Sequence, residues 1–123
     1  MNEGIFLLAY RPYRGLAAEW LKSSGYAVRT GNPEKYSMIP FRPDLVIQES
    51  WLTQYDNSLT RTLVRDIFDE DSISLLVLTN KADGGNMKNV IKPLRRLHRR
   101  ATYETRPIVQ KDFLELIQKK LKR

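Results

Sequence analysis

The sequence contains no cysteine. Disulfides, thiolate nucleophiles and cysteine metal sites are thereby excluded, and the usage suits a cytoplasmic chain. A single histidine rules out a multi-histidine metal centre. No run of about 18 apolar residues occurs, so no helix is expected to cross a membrane. The N-terminus lacks a charged stretch ahead of an apolar one, so no secretory signal is read there. Glycine-rich phosphate loops of the P-loop and dinucleotide types are missing, and Gly84-Gly85 signals only a loop. Acid is in short supply too: 14 acidic residues stand against 21 basic ones, a net charge of +7. That balance favours anionic partners, nucleic acid or acidic proteins, and equally describes a charged, solvated surface.

What is present fits one domain spanning residues 1–123, with 41% hydrophobic content to build a core. The apolar run from Gly4 to Tyr10 reads as a central strand buried on both faces. Arg11 to Gly15 breaks it. Leu16, Ala17, Trp20 and Leu21 then recur at helical spacing, with Gly25 as the stop. Tyr26 to Thr30 reads as a second strand, and residues 33–41 as a short or irregular helix. The turn signal Arg42-Pro43 opens a third strand at 44–48. Leu59, Leu63, Val64 and Ile67 mark a helix face, with Ser58 as its N-cap. Ser72 to Thr79 is the clearest strand. Val90, Leu94, Leu97 and Ala101 form an apolar helical stripe, Thr102 to Thr105 a last strand, and Val109 to Leu121 a final amphipathic helix.

This alternation implies an α/β fold: a doubly wound, five-stranded parallel sheet of order 2-1-3-4-5 inside a three-layer sandwich. In such sheets, ligands and chemistry collect at the carboxyl ends of the strands. The third strand delivers a carboxylate, Glu49, to that edge. The acidic cluster Asp66, Asp69, Glu70 and Asp71 falls at the opposite edge and is discounted as a metal site.

Four local patterns bring the chain close to a known family. Pro43-Asp44-Leu45-Val46-Ile47-Gln48-Glu49 resembles the strand of bacterial response-regulator receiver domains that ends in the phospho-accepting aspartate. Leu76-Val77-Leu78-Thr79 resembles their fourth strand, with Thr79 at the hydroxyl position. Arg106-Pro107 stands where the family has lysine–proline, and Tyr103 falls at its aromatic switch position. Gly25-Tyr26-Ala27-Val28 is similar to the entry into the second strand. The resemblance covers nearly the whole chain and implies a flavodoxin-like, receiver-like fold.

The departures are chemical. The acidic pair that holds magnesium in the family reads Tyr10-Arg11 here, the acceptor aspartate is Glu49 and the lysine is Arg106. Phosphoryl transfer to a carboxylate requires a divalent cation held by hard oxygen ligands. One carboxylate beside Arg11 is a poor site, and a glutamate's extra methylene misplaces its oxygens by about an ångström, enough to cost about 10²-fold in rate. The expectation is a substitute ion pair. Glu49 lies between Arg11 and Arg106, whose guanidinium groups replace metal and lysine, with Thr79 within hydrogen-bond reach. No catalytic residue, metal or other cofactor is expected.

Lys92, Arg95, Arg96, Arg99 and Arg100 fall on one helix face. Their mutual repulsion does nothing for folding, and an anionic partner would relieve it. The reading is therefore a non-enzymatic, stand-alone atypical receiver that regulates by protein–protein contact. Its expected partner is an acidic protein, or a second copy, on the face made by the fourth helix, fifth strand and fifth helix. The alternative is a small basic nucleic-acid-binding protein using residues 88–100.

Overall fold

The computed structural model describes residues 3–33, 42–49, 73–80, 92 and 100–122. Five strands run parallel: β1 Gly4–Leu8, β2 Ala27–Gly31, β3 Leu45–Glu49, β4 Ser74–Thr79 and β5 Ala101–Thr105. Their order across the sheet is β2-β1-β3-β4-β5. The doubly wound arrangement expected from the alternation of elements is thus the one formed. Two helices are described along their length, α1 at Tyr13–Ser23 and α2 at Gln110–Leu121, and Lys92 is helical as well.

β1, β3 and β4 are buried along their whole length, as continuous apolar runs of a parallel sheet should be. Ile5, Leu7, Leu45, Ile47, Leu76 and Leu78 alternate onto one face, where they meet Ala17 and Leu21 of α1 and Phe113 and Ile117 of α2. The intervening Phe6, Leu8, Val46, Leu75 and Val77 are buried on the other face. Asp44 closes the amino-terminal edge. Its Oδ2 accepts a 2.8 Å hydrogen bond from the Gly4 N–H, and its own N–H donates to the Gly4 carbonyl.

Helix α1 begins earlier than the spacing of apolar residues suggests. Tyr13, read as part of a break, is its first residue and is buried with Ala17, Ala18 and Leu21. Leu16, expected on the inner stripe, is 48% exposed. The stripe runs 13, 17, 18, 21 because the sheet-facing side of the helix is set by Tyr13. Gly25 ends the element with a φ of 91°, the left-handed conformation that favours glycine.

Ala101 is also corrected. It continues the period of Val90, Leu94 and Leu97, but it opens β5 and pairs with Leu75. Small and fully buried, it suits either setting, and the ladder with β4 decides. Val109 precedes α2 and is exposed, so the buried face of that helix is Phe113 and Ile117. The readings at 33–41, at 58–71 and over most of 81–99 lie outside the described residues, apart from Pro33, which is buried.

Candidate functional site at the carboxyl edge of the sheet

β3 carries Glu49 to its carboxyl end with only 2% of the residue exposed. A buried carboxylate needs hydrogen bonds and a counter-charge, and the fold provides both. The Tyr10 N–H, just past the end of β1, donates to Glu49 Oε1 at 2.8 Å. Arg106, just past the end of β5, donates from an Nη atom to Glu49 Oε2 at 2.5 Å. Register explains the meeting. Glu49 pairs with Leu78 and Leu78 with Glu104, so Arg106, two residues on, shares their pleat face. The Arg106 backbone is held as well, its N–H donating to the Thr79 carbonyl at 2.7 Å.

Tyr13 fixes the arginine from below. The Arg106 guanidinium carbon lies 4.8 Å from the centroid of the Tyr13 ring, a cation–π distance. The Tyr13 hydroxyl donates to the Pro107 carbonyl at 2.7 Å. Trp20 and Phe113 meet the Tyr13 ring edge-on, each with centroids 6.3 Å away. Burial pushes the Tyr13 phenol well above its ordinary value, with Glu49 adding to the rise and Arg106 working against it. The sequence reading missed Tyr13. Its position in the first helical turn, four residues before the small, buried Ala17, was the signal available.

Arg11 does not join this cluster. The two oxygens of Glu49 are engaged by Tyr10 and Arg106, and Arg11 is exposed on the approach to α1. Thr79 makes no bond to Glu49 either. Its Oγ1 is buried without a hydrogen-bond partner. Thr79 pairs with Thr105 and so has the opposite parity to Leu78 and Glu49 on the sheet. Tyr103 is half-buried in β5, opposite Val77. Lys92 is helical and exposed, and Arg100 is half-buried with its carbonyl accepting from the Leu75 N–H. Arg95, Arg96 and Arg99 lie outside the described residues. Among the described residues no helix is long and apolar enough to cross a membrane, and no three His, Cys, Asp or Glu side chains gather.

No family model and no curated protein matches the sequence. Solved structures do match the fold. A response regulator from Thermotoga maritima superposes with a TM-score of 0.71 over 100% of both chains, at 16% identity. A response regulator receiver protein from Burkholderia phymatum gives 0.69 over 98% of this chain and 95% of its own, at 19% identity. NtrX from Brucella abortus gives 0.75 at 16% identity, with 98% of this chain matched to 27% of that much longer one. The architecture is therefore that of response-regulator receiver domains, and at such identities the likeness speaks to fold.

Proposed function

We propose that this chain is a receiver-like regulatory module that works by protein contact and is not switched by phosphorylation. The observation that supports it is the Glu49–Arg106 pair. Glu49 stands where the resemblance puts the acceptor carboxylate, yet it is buried and each of its oxygens has a donor. A nucleophilic oxygen must be free to approach phosphorus, and a magnesium ion must find several oxygen ligands. Among the described residues at this edge the donor set is one carboxylate already bonded to a guanidinium and a backbone amide. That set does not fit magnesium, so no phosphoryl step is assigned here.

The pair also changes what the edge does. In this reading Arg106 is tied permanently, so β5 and the start of α2 keep one arrangement. The surface they present is then constant, and regulation depends on whether a partner is present. The exposed Lys92, with the neighbouring arginines of the sequence, favours an acidic protein over a neutral one.

Crystals soaked with beryllofluoride and Mg²⁺ test the site. The expected result is unchanged density around Glu49, with Arg106 in place. Beryllium and magnesium bound at the Glu49 oxygens would overturn the proposal.

A further inference from the structure

The arginine that fails to reach Glu49 lines a different feature. A groove of about 660 Å³ runs between α1 and the carboxyl end of β2, bordered by Arg11, Arg14, Gly15, Ala18, Lys22 and Gly31. β2 and β5 are opposite edges of the sheet, so the groove is separate from the β5–α2 surface. We propose that it binds a short, extended acidic segment of a partner protein.

Three features carry this. First, the described residues of its walls include three cations, Arg11, Arg14 and Lys22, against one acid, Glu19. Among the described residues neither Arg11 nor Arg14 has an ion-pair partner. Second, the cations are spread along the length of the groove. Arg14 and Lys22 are eight positions apart in one helix, about 12 Å at 1.5 Å per residue. A single phosphate requires donors gathered within hydrogen-bond distance of one point. Four residues of extended peptide, at about 3.3 Å each, cover the same span with carboxylates at both ends. Among the described residues no aromatic ring lines the groove, so these walls offer a single-stranded nucleic acid no stacking surface for its bases.

Third, the floor is small by choice of residue and not by necessity. A Cβ placed on Gly15 would meet nothing within 4 Å. Glycine weakens a helix relative to alanine, and no clash demands it here. What a side chain at 15 would occupy is the groove.

The test is an amide NMR titration of the full chain with a synthetic peptide of alternating aspartate and glutamate. Thymidine oligonucleotide and inorganic phosphate form separate arms. With the peptide, the amides of Gly15, Thr30 and Gly31 are expected to shift. Arg11→Glu combined with Arg14→Glu should weaken binding about tenfold or more. Lys119→Glu combined with Lys122→Glu changes the net charge equally and should weaken it less than about threefold. Gly15→Gln, which alters no charge and has room to fold, should also weaken it. Equal loss from the two charge-matched pairs would overturn the proposal, as would shifts centred elsewhere. So would oligonucleotide or phosphate binding at these residues as tightly as the peptide.

Discussion

Arg106 and Arg11 follow the ends of two strands in the same parallel sheet, and their surroundings differ in every respect. Arg106 leaves β5 into a packed corner: a buried carboxylate accepts a hydrogen bond from its Nη atom, an aromatic ring lies against it, and its backbone N–H is bonded. Arg11 leaves β1 into solvent beside an open groove. Strand ends alone therefore do not make a site. What separates the two is the element that follows. The turn after β5 is pinned to α1 by the Tyr13–Pro107 hydrogen bond, which holds Arg106 over the sheet edge. After β1 four residues lead into α1, and it is the Tyr10 N–H that faces Glu49.

Removing each side chain should therefore give very different results. Arg106→Ala strands a buried carboxylate and should cost the most, about 2–3 kcal/mol of unfolding free energy by urea denaturation. Adding Glu49→Leu to it should recover much of that loss, because the uncompensated charge goes as well. Tyr13→Phe keeps the ring beneath Arg106 and deletes only the hydroxyl, for about 1 kcal/mol.

Tyr13→Phe should also change the alkaline limb of stability. The Tyr13 phenol is raised above its ordinary value of 10.0 in the folded chain. Its stabilising effect is thus complete below pH 10 and declines as pH rises toward the folded value, since the unfolded chain ionises first. Melting temperatures taken upward from pH 9 should fall more steeply for the wild type than for Tyr13→Phe.

Gly15→Ala should act in the other direction, stabilising the chain by about 0.5–1 kcal/mol, because the added methyl meets no neighbour. Arg11→Ala should be the least felt, within about 0.5 kcal/mol of the wild type. If Arg11→Ala were as costly as Arg106→Ala, the contrast drawn between the two strand ends would fail.

The sheet was readable from the chain alone because its strands announce themselves. Runs such as Ile5 to Leu8 and Leu75 to Leu78 are too short and too apolar for surface helices, and parallel connection follows from the alternation. Glu49 and Arg106 could be placed at one edge for the same reason, each following a strand by its pattern. Side-chain direction was less accessible. Arg11 is adjacent to Tyr10 in sequence, yet only the backbone of Tyr10 reaches Glu49, and Thr79 falls on the wrong side of the pleat to bond it. Tyr13 was hidden for a different reason. Its partner carbonyl, on Pro107, is 94 residues away, and no local spacing reports a contact of that range. Ala101 shows the opposite failure, in which a period continued past the element that produced it.

The central claim is that Arg106 and the Tyr10 amide keep the Glu49 carboxylate from chemistry. Intact-mass measurement after incubation with acetyl phosphate and Mg²⁺ tests it most directly. The mass should remain that of the unmodified chain. A gain of one phosphoryl group, mapped to Glu49 by peptide fragmentation, would contradict it.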